Sequence, residues 1–164
     1  VMMFEFTRSK TIGTEKREDG IFLVHGFLDD NVYTIELELG VKTPEFTIVS
    51  AKGNMKRYTT PECPKAPSIL DDAVGIRIGG ADFETKIKKL VGRGGCRHLA
   101  DLFIECCNAV FPAVIQTQWK IARSNGMSKD DFIKGLVNKE PKIRDRCMTY
   151  SRESELVRRL GVSW

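Results

Sequence analysis

Three side chains invite a chemical reading: Cys63, Cys96 and His98. Cys96 and His98 sit two residues apart in Gly94-Gly95-Cys96-Arg97-His98-Leu99-Ala100, just where an apolar-periodic helix begins. A thiol at a helix N-terminus meets unpaired N–H groups and the positive end of the dipole, which favours thiolate. Thiolate is the form that ligates metals and attacks electrophiles. Cys63 lies in the turn-rich stretch Tyr58-Thr-Thr-Pro-Glu-Cys63-Pro-Lys-Ala-Pro67, and Asp29 lies in a strand-ending turn. Thiolate, imidazole and carboxylate together are the donor set of zinc and iron–sulfur centres. The expected ligands are therefore Cys63, Cys96 and His98, with Asp29 the weaker fourth. Arg93 and Arg97 flank the motif and are expected to contact an anion or an anionic substrate. The alternative is a nucleophilic Cys96 with His98 as its base. A third reading makes all these residues structural, in a metal-free interaction module. No catalytic residue is assigned on the leading reading.

The other cysteines and the second histidine read as structural. Cys106 falls on the apolar stripe of the long helix beside Cys107, Cys147 reads as a partly buried residue of the tail, and His25 sits within a strand. Gly92-Arg-Gly-Gly lacks the Lys-Ser/Thr of a phosphate loop, and no nucleophile elbow or dinucleotide fingerprint is present.

These residues need elements to hold them. Phe4 and Phe6 alternate with Glu5, predicting a strand over 2–12. Ile21–Leu28 is an apolar strand bounded by Gly20 and Asp29. Tyr33, Ile35, Leu37 and Leu39 alternate with Thr34, Glu36 and Glu38, as in a half-buried antiparallel strand. A fourth strand runs from Phe46 to Lys52 and continues over 55–58 after a bulge at Gly53. Helices follow. Ser68 with Asp71 predicts a capping box and a short helix ending near Gly75. Asp82 caps Phe83–Val91 and Gly92 stops it. A long helix starts near Cys96 or Arg97, with Leu99, Leu102, Phe103, Cys106, Val110 and Val114 on one face and a kink at Pro112. Ser128 with Asp131 opens another that ends before Pro141, and a last helix covers 152–160.

Strands first and helices after predict an α+β fold: an antiparallel sheet of three or four strands with helices packed on one face, plus a C-terminal helical tail. The expected organisation is one domain over 1–164, with a core at 1–126 and a helical extension of that domain at 127–164. The 164 residues are 29% charged with a net charge of +4, and basic and acidic residues are interspersed, which argues against nucleic acid as a partner. Five cysteines without framework spacing, no secretory segment and no bilayer-length apolar run lead to an expected cytoplasmic location away from membranes.

The ordered motifs resemble a bacterial family of domains of unknown function, number 2889. That family pairs an aspartate turn after a strand with Tyr-x-x-Cys and Gly-Cys-Thr-His-Leu. The corresponding stretches here are Asp29, then Tyr58 to Cys63 with a longer gap, then Gly95-Cys96-Arg97-His98-Leu99, with Arg in place of Thr. Val32 and Tyr33 stand where the family often has a histidine. The resemblance spans roughly residues 5–120 and brings no activity with it. In layout the chain is also similar to iron–sulfur scaffold proteins of the IscU and NifU type, whose three ligand positions are matched by Asp29, Cys63 and Cys96. Their first cysteine is absent here, and His98 follows its cysteine where the scaffold histidine precedes it. The resemblance implies a metal- or cluster-binding accessory protein that holds zinc, iron or an iron–sulfur cluster and works with another protein.

Overall fold

The structure is a computed structural model and describes residues 5–162. Four strands, β1 (Arg8–Lys16), β2 (Ile21–Asp30), β3 (Thr34–Lys42) and β4 (Thr47–Arg57), form one antiparallel sheet in the order β1-β2-β3-β4. Helical segments follow, so the fold is α+β. They are a 3₁₀ helix at Cys63–Ala73, α1 (Phe83–Ile87), a π-helix at Lys88–Arg93, α2 (Arg97–Ser124), α3 (Lys129–Lys139) and α4 (Glu155–Arg159), with short 3₁₀ turns at Pro141–Ile143 and Met148–Tyr150.

The chain divides into two compact units, Val1–Ala113 and Val114–Trp164. In the first, period-two alternation buries Phe22, Val24 and Leu28 of β2 and Ile35, Leu37 and Leu39 of β3. The first half of α2 fills this core with Leu99, Leu102, Phe103, Cys106 and Val110. Two glycines allow the close approach. A side chain at Gly26 would lie 2.4 Å from the Cys106 sulfur, and one at Gly53 would lie 2.9 Å from Leu70. By length and composition α2 is the one described helix apolar enough to cross a membrane, yet half of it is the core partner of the sheet. The second unit has its own small core of Val137, Val157, Leu160 and Val162, against which Ile133, Ile143, Tyr150 and Leu156 pack. Ile133 and Val137 of α3 serve this local core, and Phe132 packs on Trp119 in a tilted ring pair with centroids 5.2 Å apart.

Several local expectations shift. The first strand begins at Arg8, Phe6 is exposed outside it, and Phe4 lies outside the described residues. β1 is an edge strand held by its ladder to β2, so it needs no apolar face. In β4 the irregularities skip Lys56 and Val49, while Gly53 pairs regularly with Leu37. Gly53 is there for the approach of Leu70. The helix expected after Ser68 already starts at Cys63, where Pro64 presets the first turn and the Ser68 hydroxyl donates to the Lys65 carbonyl at 2.8 Å instead of capping. Asp82 precedes α1 without a side-chain cap, and the helix expected through Val91 widens into the π-helix at Lys88. Ser128 does cap α3, accepting from Asp131 N, and the helix expected over 152–160 is α4, Glu155–Arg159, which Ser154 caps by accepting from Val157 N.

Candidate functional site

The site is built at the end of the sheet where β2 turns into β3. Extending the inward set Phe22, Val24, Leu28 by two places lands on Asp30, whose side chain is fully buried. Its Oδ1 accepts from the Val32 and Tyr33 amides at 2.7 and 2.6 Å, and its Oδ2 accepts from Arg8 Nε at 2.7 Å. Burial alone would raise the pKa of this carboxyl; the two amide donors and Arg8 outweigh it and hold the group below the ordinary carboxylate range. The turn is thereby rigid, and it presents Tyr33. The Tyr33 ring lies 4.2 Å from the His98 ring, centroid to centroid.

His98 comes from the first turn of α2. Ahead of it, the Gly95 and Cys96 amides both donate to the Val91 carbonyl, at 3.0 and 2.9 Å. Gly95 is pressed against the 3₁₀ helix: an added side chain there would meet the Ala66 carbonyl oxygen and Ile69 at 3.0 Å. This clamp sets where Cys96 points. Its Sγ lies 3.9 Å from His98 Nδ1, within thiol–imidazole hydrogen-bond reach, and both residues are half-buried. Burial and then the Arg8 guanidinium hold the His98 pKa below the usual histidine value, partly opposed by Asp30 and Asp101. The imidazole is therefore neutral at neutral pH and can accept a proton. Arg97 and Arg93 are both exposed, and Arg97 is close enough to His98 to disfavour its charge.

The remaining expected residues are placed differently. Cys63 opens the 3₁₀ helix, with its sulfur 3.4 Å from the Thr60 hydroxyl and 3.8 Å from that of Thr59. The Thr60 hydroxyl, then the Thr60 amide and the Thr59 hydroxyl, stabilise the thiolate and lower its pKa to about 7. Asp29, on the opposite strand face from Asp30, accepts from the Thr34 hydroxyl at 2.6 Å and pairs with Arg57 at 3.2 Å. Among the described residues, no group of three or more His, Cys, Asp or Glu gathers where it could hold a metal ion. The expected set of Cys63, Cys96, His98 and Asp29 is thus not assembled into one centre; Cys96 and His98 alone stand together. Cys106 and Cys107 are buried, and burial pushes the Cys106 thiol up to about 12 and Cys107 higher still. Cys147, expected partly buried, is exposed, and so is His25, 3.7 Å from Glu38 on the outer sheet face.

The model of a family described as protein of unknown function (DUF2889) matches residues 6–111, well over half of the chain. The chain belongs to this family. The matched stretch contains the Asp30 turn, Tyr33, Cys63, Cys96 and His98, and it ends two residues before the boundary of the first compact unit. The first unit is therefore the family domain. No curated protein and no solved structure matches the chain, so the likeness to IscU and NifU scaffolds gains no support from solved folds. Reading residues alone missed Asp30, Arg8 and the role of Tyr33. The available signal was the inward alternation of β2, which continues past Leu28.

Proposed function

We propose that the family domain is a small thiol-dependent enzyme with Cys96 as nucleophile and His98 as its general base. The observation that carries this reading is the 3.9 Å approach of Cys96 Sγ to His98 Nδ1. The imidazole is stacked on Tyr33 and is neutral at physiological pH. In the reaction, the sulfur forms a bond to an electrophilic carbon of the substrate while its proton passes to His98 Nδ1. The imidazolium so formed returns the proton to the departing group. The first-turn amides of α2 stabilise negative charge that develops on the substrate. Arg97, and Arg93 before it, would hold an anionic substrate group. Asp30 and Arg8 are positioning residues, since they act through Tyr33 and through the charge beside His98.

The metal-centre reading rests on the same pair. Zinc or iron would find two ligands in Cys96 and His98 and would take the rest from a partner protein or substrate, because the described residues offer no third. One experiment separates the two readings. Protein purified anaerobically is analysed for zinc and iron, and iodoacetamide labelling of each cysteine is followed by mass spectrometry across the neutral pH range. We expect substoichiometric metal and Cys96 labelling that slows roughly tenfold in His98→Gln. Stoichiometric metal lost in Cys96→Ser would select the accessory-protein reading. Cys96 labelling indifferent to His98, with no metal, would leave the pair without chemistry.

A further inference from the structure

The family match and the fold break at nearly the same place, and so does the charge. In Val1–Ala113 fifteen Lys and Arg stand against sixteen Asp and Glu. In Val114–Trp164 eleven stand against six, so the whole positive excess of the chain resides in the C-terminal unit. Interspersion along the sequence hides this asymmetry, because it becomes visible only once the unit boundary is known. Part of the basic charge is internally committed: Arg159 pairs with Asp130, Arg152 with Asp145 at 3.5 Å, and Arg158 donates to the Glu153 carbonyl. Lys120, Arg123, Lys134 and Arg146 have no carboxylate partner among the described residues, and all four are exposed.

Apolar side chains are exposed in the same unit. Met148 is 90% exposed, the most of any large apolar residue described, and Ile121 and Met127 are about half exposed. Met148 opens the 3₁₀ turn Met148–Tyr150, with Arg146 two residues before it and Arg152 four after. A methionine held into solvent between arginines has no packing role in the folded chain. Uncommitted cations together with exposed aliphatic tips are the combination that anionic bilayers bind, since neither attraction alone gives lasting attachment. Duplex nucleic acid would use the cations and leave Met148 idle, and Trp119 and Phe132, which could stack on bases, pack against each other at a 50° tilt.

We propose that the C-terminal unit is a peripheral docking module for anionic lipid surfaces, with Met148 entering the interface and Arg146 beside it contacting headgroup phosphates or carboxylates. The module would bring the family domain to the membrane surface. The proposal is independent of the chemistry at Cys96.

The full chain is sedimented with phosphatidylcholine vesicles with and without phosphatidylserine, at low and high salt, and with duplex DNA as competitor. We expect binding only when phosphatidylserine is present, weakened by salt. Arg146→Glu should weaken it about fivefold or more. Met148→Asp, which removes the apolar tip and adds a negative charge beside Arg146, should weaken it at least as much, and Cys96→Ser should leave it intact. Because Met148 is so exposed, circular dichroism of Met148→Asp should match that of the parent chain. Absence of phosphatidylserine-dependent binding overturns the proposal. Binding indifferent to Met148→Asp overturns it too, as does displacement from vesicles by duplex DNA with tighter binding to the DNA, which would make the unit a nucleic-acid module.

Discussion

The family domain and the C-terminal unit hold themselves together by different means. In the family domain a four-stranded sheet lays an apolar face on the first half of α2, and Phe103, Leu102, Leu99, Ile35 and Leu39 are sealed from solvent. Its ionised groups are few inside and fully satisfied: Asp30 takes two amides and Arg8. Among the described residues the C-terminal unit centres on Val137, Val157, Leu160 and Val162, with Ile133, Ile143, Tyr150 and Leu156 packed against them, and it relies on capped short helices and exposed ion pairs. So small a core gives little stability. A rigid scaffold suits a thiol and an imidazole that must stay aligned; a lightly built charged unit suits docking.

The sharpest way to test this contrast is to remove core volume from each unit. Leu102→Ala takes a wholly buried leucine from beneath the sheet and should cost about 2–5 kcal/mol through lost burial and the cavity left behind. Val137→Ala should cost roughly 2 kcal/mol at most, confined to α3 and α4. Thermal melts with hydrogen exchange read both effects. If Leu102→Ala and Val137→Ala accelerate exchange equally throughout the chain, the two units are one cooperative body and the comparison fails.

Acid discriminates next. Asp30 binds its proton more weakly in the folded chain than in the unfolded one, so the stability it contributes is complete above the ordinary carboxylate pKa. That stability is lost as pH falls through the lower folded value. Asp30→Asn should therefore lower family-domain stability by about 1–3 kcal/mol at neutral pH and flatten its dependence on pH below about 4. Asp130, paired with Arg159 on the surface, is shifted in the same direction, chiefly by the Arg159 hydrogen bond. Its exposure and screening by water predict no measurable change in Asp130→Asn. Denaturant melts against pH decide, and equal losses in both variants would erase the distinction between a buried and a surface carboxylate. His98 acts with the same sign at higher pH. Its folded pKa lies below the unfolded one, so protonation favours unfolding as pH drops through about 6.5 toward the folded value.

The smallest effect concerns the thiols. Cys63, with a pKa of about 7, should be about half thiolate at neutral pH, so iodoacetamide should label it far faster than Cys106 or Cys107. Thr60→Val removes the largest cause of that shift and should slow Cys63 labelling at neutral pH roughly threefold to tenfold. Peptide mapping by mass spectrometry gives the rates. An unchanged rate in Thr60→Val would mean that the hydroxyl does not govern this thiol.

What was legible without coordinates was whatever short-range physics dictates. The alternation Tyr33, Ile35, Leu37, Leu39 is set by the two-residue period of a strand, and β3 buries Ile35, Leu37 and Leu39 as that period requires. The spacing of Leu99, Leu102, Phe103, Cys106 and Val110 follows the helical period, and all five are buried in α2, whereas Val114, expected on the same face, is only half-buried. Ser128 caps α3 because its hydroxyl needs only the amide of Asp131, three residues away. Even the closeness of Cys96 and His98 is local, since both belong to one helix start.

Tertiary structure decided the rest, because it depends on which distant surfaces meet. Asp29 and Asp30 are chemically alike in the sequence, and the strand phase that buries Asp30 is fixed by packing against α2 and by Arg8 arriving from the edge strand. Cys63 shares its residue type with Cys96, yet the early start of the 3₁₀ helix ties it to Thr59 and Thr60, outside any metal-holding group with Cys96 and His98. The bulges fell at Val49 and Lys56, where the register must adjust, while Gly53 answers to Leu70 across a packing contact. The unit boundary falls inside the helix α2 just past Pro112, where the residues signal a kink and the helix nonetheless runs on to Ser124. Periodicity is a property of neighbours along the chain; which side chains converge is a property of surfaces that meet only after folding.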